Sequence, residues 1–151
     1  IHPDAVRDLT PIGDWLRQWG EAIYDTRPYS CFGEGPTKIL ESDFNQKKIN
    51  EQLQTGIAKE DAISALTNQD VRYTYKAPYL YAIVMGWPPE GRIRLQAPLK
   101  EGLPIQEIAL VKDGVPLPYT QYPEYLEIAL PDSLSDTPDP IAVKIREMYA
   151  E

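Results

Sequence analysis

Val71-Arg72-Tyr73-Thr74-Tyr75-Lys76, followed after Ala77-Pro78 by Leu80-Tyr81-Ala82-Ile83-Val84-Met85, marks where the chain changes from helical to extended patterning. In the first run Val71, Tyr73 and Tyr75 alternate with Arg72, Thr74 and Lys76, the period of two that sends successive side chains to opposite faces of a strand. The second run is apolar and ends at Gly86-Trp87-Pro88-Pro89, so it reads as a short, buried central strand.

Towards the C-terminus the same grammar continues. Ile93 and Leu95 alternate with Arg92, Arg94 and Gln96. Ile105–Lys112 and Val115–Tyr119 flank Asp113-Gly114, which predicts a hairpin with a two-residue type I′ turn, because both central residues there need positive φ. Tyr125–Leu130 and Ile141–Ile145 add two more strands. About seven short strands joined by Gly-, Pro- and Asp-rich turns predict a mainly β chain, an antiparallel β-sandwich or barrel. Prolines 116, 118, 131, 138 and 140 fall at strand ends or edges, where a missing donor is tolerated.

Towards the N-terminus, Val6, Leu9, Ile12, Trp15, Leu16 and Trp19 form the stripe of an amphipathic helix. Pro11 predicts either a kink or a start at Thr10 as N-cap. Gly20 is expected to close the helix in a left-handed conformation. Two tryptophans on one short helix call for a large docking surface, either the sandwich or a scaffold N-terminal to residue 1. Between helix and strands, residues 25–45 show neither period and read as a connecting segment. In 45–66, Ile49, Leu53 and Ile57 suggest one or two short surface helices.

Composition excludes several functions. The 151 residues are 42% hydrophobic and 25% charged, as in globular domains. A net charge of −8, with no basic cluster longer than Lys47-Lys48, argues against nucleic-acid binding. Fifteen prolines, about twice the usual share of about 5%, limit long helices. The longest uncharged apolar run, Tyr79–Met85, is far short of the roughly 20 residues that span a bilayer. Ile1-His2-Pro3-Asp4 has neither the basic start nor the apolar core of a secretory signal. Cys31 and His2 are the sole residues of their kinds, so neither a paired-cysteine metal site nor an internal disulfide is expected. A nucleophile–histidine site would have to use a terminal side chain. Gly33 and Gly35 lack the Gly-x-x-x-x-Gly-Lys-Ser/Thr spacing of a phosphate loop.

Three stretches in this order resemble the C-terminal end of a retaining α-L-fucosidase of glycoside hydrolase family 29. They are Ile12-Gly13-Asp14-Trp15-Leu16 with Trp19-Gly20-Glu21-Ala22-Ile23-Tyr24-Asp25-Thr26-Arg27-Pro28, then Phe32-Gly33-Glu34-Gly35-Pro36-Thr37, then Gln69–Thr74 leading into Leu80–Pro88. The resemblance implies that residues 1–30 are the end of a catalytic (β/α)8 barrel with its final helix and exit loop. It further implies that 31–69 are a connector with short helices and 70–151 a C-terminal β-sandwich. The partners it implies are the barrel of the same protein and a fucosylated glycan, in a secreted, periplasmic or lysosomal setting, with no cofactor or metal. The 45–66 region looks longer than the family's usual connector.

A retaining glycosidase needs two carboxyl groups about 5–5.5 Å apart. In the family these lie upstream of residue 1, so the segment is expected to be inactive alone, with no catalytic residue. Glu34, Glu41, Asp43, Asp132, Asp136 and Asp139 lie in connectors and turns, where little burial is available to raise a carboxyl pKa. Ten tyrosines and three tryptophans keep a non-catalytic carbohydrate-binding module as a rival. Tyr73, Tyr75, Tyr79 and Tyr81 occupy strand positions, and Trp87 reads as a core plug. Tyr122, in the loop Thr120-Gln121-Tyr122-Pro123, is the aromatic chosen as a ligand contact. A third reading is an interaction domain that holds a homo-oligomer together.

Overall fold

The computed structural model describes residues 1–36, 66–100, 102–135 and 137–148. Helix α1, Pro3–Trp19, opens the chain. His2 caps it by accepting from the Asp4 N–H through Nδ1, Pro3 enters the first turn where its missing donor costs nothing, and Arg17 sits in the last turn. The helix runs on through Pro11 rather than starting at Thr10. Gly20 does not take the expected left-handed conformation. Its φ is −61°, and the chain tightens into a 3₁₀ turn over Gly20–Ala22. Gly20 instead lets the Tyr24 ring pack close, since a Cβ there would lie 2.6 Å from that ring and push it aside.

Among the described residues eight strands follow: β1 Arg27–Glu34, β2 Val71–Lys76, β3 Tyr79–Val84, β4 Arg92–Leu95, β5 Ile105–Leu110, β6 Tyr119–Gln121, β7 Leu126–Ala129 and β8 Ile141–Glu147. They form two antiparallel sheets, ordered β1-β2-β3-β8-β5 and β4-β7-β6. The expected β-sandwich with one N-terminal helix is what the chain adopts. A short helical turn α2, Ala97–Lys100, links β4 to the return into the larger sheet.

Register sorts the larger sheet by face. Val71, Val84 and Ile141 share one row, and Tyr73, Ala82, Val143 and Leu110 the next. With Leu80, Ile145 and Ile108 they form an apolar face, all buried. Ile93, Leu95, Leu126 and Ile128 of the smaller sheet belong to the same core, and burying each such side chain stabilises the fold by about 1.5–3 kcal/mol. The other face carries Thr74, Tyr81 and Lys144 in one row. There the 3₁₀ turn docks: the Thr74 hydroxyl donates to the Ala22 carbonyl, and Tyr81 and Lys144 both donate to Glu21.

Two sequence expectations fail here. Residues 27–34, within the segment read as connecting, form edge strand β1, whose register is interrupted between Pro28 and Gly33. That interruption, with a proline and a glycine in the strand, erased any period of two. The Asp113-Gly114 hairpin is also looser than a type I′ turn. Gly114 has φ +73° but Asp113 is not left-handed, and the Gly114 N–H closes on the Leu110 carbonyl across a longer loop. Beyond it only Ala109 and Pro116 pair, because Pro116 and Pro118 supply no donors and the chain leaves for β6 in the other sheet. The helices expected between 45 and 66 lie outside the described residues apart from residue 66.

Trp19 is buried and the Trp15 Nε1–H donates to the Pro140 carbonyl at 2.8 Å. Both indoles therefore pack on this chain's own sandwich rather than on a separate scaffold. Val6, Leu9 and Ile12 remain 49%, 61% and 55% exposed. Residues three apart fall about 60° short of a full helical turn, so the stripe winds half-way round α1 between Val6 and Trp15. One surface cannot cover both ends.

Candidate functional site

The larger sheet has two strands more than the smaller. A cleft of about 980 Å³ is lined by residues of β1, β2 and β3 of the larger sheet and of β4 of the smaller, the size of a small-molecule binding cleft.

Glu34 forms its base. From β1 its carboxylate accepts from the Tyr73 hydroxyl of the same sheet and from the Gln96 and Ala97 N–H groups at the end of β4, each 2.8 Å away. Burial, then the Glu34 charge, pushes the Tyr73 hydroxyl far above its ordinary pKa, so it stays a donor. The flanking glycines are set by space: a Cβ at Gly33 would lie 2.5 Å from the Val71 carbonyl, and one at Gly35, whose φ is +128°, would collide with the buried Asp70 carboxylate. Phe32-Gly33-Glu34-Gly35-Pro36 is thus a latch between sheets.

On the β4 side, Arg92 and Arg94 donate to Glu127 at 2.7 and 3.1 Å. Glu127 is 8% exposed, and hydrogen bonds from Arg92 and then Arg94 hold its carboxyl below the usual range. The Arg94 guanidinium also lies over the Tyr125 ring, 5.6 Å from its centre. Tyr125 lines the cleft, and Tyr122 stands 4.8 Å from it, ring centre to ring centre, in the β6–β7 turn. Tyr122 is 41% exposed. The sequence singled out Tyr122 for its loop, of which Thr120 and Gln121 instead end β6, and read Glu34 as a connector acid although it closes β1; it did not choose Tyr125 or Arg94. The alternation of β4 says only that Arg94 faces away from Ile93 and Leu95, and the bonds of Glu34 reach across 39 and 63 positions.

The remaining expected contacts are structural. Tyr73 and Tyr81 are buried, and Trp87 is half-buried against Gly91, where a Cβ would lie 2.7 Å from its ring. Asp132 and Asp139 are exposed in turns; Glu41, Asp43 and Asp136 lie outside the described residues. Among the described residues no group of three or more His, Cys, Asp or Glu could hold a metal ion, and no helix is long and apolar enough to cross a membrane.

The model of the alpha-L-fucosidase C-terminal domain family matches residues 64–146. The chain belongs to this family. Solved fucosidases share its fold through α1 as well as through the sandwich. The alpha-fucosidase of Thermotoga maritima, in complex with a mechanism-based inhibitor, is 19% identical, with a TM-score of 0.62 over 97% of this chain and 28% of that one. Alpha-L-fucosidase isoenzyme 1 from Paenibacillus thiaminolyticus is 18% identical, with a TM-score of 0.62 over 99% of this chain and 28% of its own. A bacterial fucosidase with a monovalent iminocyclitol inhibitor gives 16% and 0.63 over 99% and 26%. The chain therefore spans between a quarter and a third of the length of these structures. No curated protein matches it significantly.

Proposed function

We propose that this fucosidase C-terminal domain belongs to an exo-acting, retaining α-L-fucosidase that hydrolyses terminal α-L-fucosides of glycans. In that protein α1 and the 3₁₀ turn close a catalytic (β/α)8 barrel, and the sandwich supports the barrel without supplying nucleophile or acid/base. Because β1 pairs with β2, we place the border between the two units near Thr26 rather than at residue 30.

The observation that carries this reading is the family match over residues 64–146. The ridge Val6, Leu9 and Ile12 supports it, since helices on the outside of such barrels bury one apolar face against the strands. The carboxylates of the cleft support the division of labour. Glu34 accepts from three donors that fix it as a structural acceptor, and Arg92 and Arg94 hold the Glu127 carboxyl below its usual range, whereas a glycosidase acid needs an environment that favours its protonated form.

An aryl α-L-fucoside tests the reading. The full-length protein should release fucose with the α-configuration first, followed by NMR, and residues 1–151 alone should give no turnover. Hydrolysis by the 151-residue chain alone, or inversion by the full-length protein, would overturn it.

A further inference from the structure

We infer that the inter-sheet cleft is a binding site for an uncharged oligosaccharide, held between Glu90, Arg94, Gln96 and Tyr125, with the exposed Tyr122 ring that packs against Tyr125 as an outlying contact. Its connection to the reaction, as a hold on the glycan that carries the fucose, rests on the fucosidase reading above.

Four features lead there. The cavity is partly open and is walled by strands of both sheets, β1–β3 on one side and β4 on the other. Its rim offers planar groups of both polarities, with Asn68, Gln69 and Gln96 amides beside the Glu90 carboxylate and the Arg94 guanidinium. Sugar hydroxyls both donate and accept, so they match such a mixed rim. An aromatic lip adds a flat face for pyranose C–H groups. Tyr125 is held by the Arg94 guanidinium over its ring, itself anchored on Glu127, and Tyr122 packs against Tyr125 and stays 41% exposed, so the aromatic face left for a ligand is that of Tyr122, and it is in place before a ligand arrives. Finally, Glu90 is held at φ 58°, ψ 15°, left-handed backbone that a non-glycine residue adopts at a cost. That conformation keeps a carboxylate on the rim where glycine would sit without strain.

Charge selects against other ligands. Three cations, Arg92, Arg94 and Lys100, stand against three carboxylates, Glu34, Glu90 and the Glu127 that the two arginines share, so a phosphate or a polyanion finds no net positive field. The polar rim gives a lipid chain no continuous apolar wall.

The test titrates the full-length protein with lacto-N-tetraose, a neutral oligosaccharide without fucose, by calorimetry, with 3′-sialyllactose as the anionic comparison. Tyr122→Ala and Glu90→Gly remove exposed side chains, and the second also relieves the backbone, so both variants should fold as the parent does, checked by circular dichroism. Saturable lacto-N-tetraose binding, weakened about threefold to tenfold by either substitution, is the expected result. No saturable binding, binding indifferent to both substitutions, or tighter binding of the sialylated sugar would overturn the proposal. Aryl fucoside hydrolysis by the unsubstituted protein in the same preparation separates the two readings: hydrolysis without lacto-N-tetraose binding sinks the cleft alone, and binding without hydrolysis sinks the fucosidase reading alone.

Discussion

The Glu34 carboxylate and the Ala97 N–H, 63 positions apart, meet at 2.8 Å and join the edge strand of one sheet to the end of a strand in the other. The same carboxylate takes the Tyr73 hydroxyl and the Gln96 N–H, so a single side chain spans the open side of the sandwich. Hydrogen bonds to a charged group contribute about 1.5–3 kcal/mol each, and they do not simply add. Glu34→Ala should therefore cost about 2–4 kcal/mol in urea unfolding followed by fluorescence, while Glu34→Gln, which keeps one acceptor, should cost less.

The glycines beside this latch should be less replaceable than the latch itself. Gly33→Ala drives a methyl into the Val71 carbonyl, and Gly35→Ala adds a strained φ to a clash with Asp70. Each should lower stability by more than the roughly 1 kcal/mol of a simple glycine conformational effect. Gly13→Ala, with nothing within 4 Å and a helical position, should stabilise by a few tenths up to about 1 kcal/mol. Thermal unfolding of the three variants side by side checks the order.

Acid should weaken the sandwich through Glu127. Its carboxyl is held below its unfolded value by Arg92 and Arg94. Over the pH range below the ordinary value of about 4.3, the unfolded chain thus binds more protons than the folded one. The stabilisation is complete above that value and is lost as the pH falls below it through the lower value that Glu127 has in the fold. Replacing both arginines by glutamine should flatten the decline of stability between about pH 5 and pH 3, measured as the urea midpoint against pH. An unchanged slope would remove Glu127 from the account.

The Val6–Leu9–Ile12 ridge separates the behaviour of the piece from that of the whole. Changing all three to serine should leave the unfolding midpoint of residues 1–151 nearly unchanged, because the three side chains are about half exposed or more. In the full-length protein the same change should destabilise by several kcal/mol, at about 1.5–3 kcal/mol per buried side chain. Equal effects in both would argue against a partner on this face.

What was readable in the sequence followed the regularity of the local pattern. β2, β3, β4, β7 and β8 were visible because each alternates or runs apolar without interruption, and register then put those same positions in the core. β1 was invisible, since Pro28 and the irregular register before Gly33 leave no alternation to count. The stripe on α1 was seen but not its winding, which splits the indoles from Val6 and Leu9. Of the candidate site, Tyr122 alone could be chosen from its loop. The cleft itself is walled by residues from Cys31 to Tyr125 on strands of both sheets, and no local window of sequence carries that juxtaposition.

Glu21 has a mechanical consequence. It sits in the 3₁₀ turn directly after α1 and is gripped by Tyr81 of β3 and Lys144 of β8, neighbouring strands inside the larger sheet. Trp15 fastens the preceding helical turn to Pro140. With anchors on both sides of the junction there is no hinge between helix and sandwich, and the two must swing as one lever on whatever body the exposed ridge of α1 rests against.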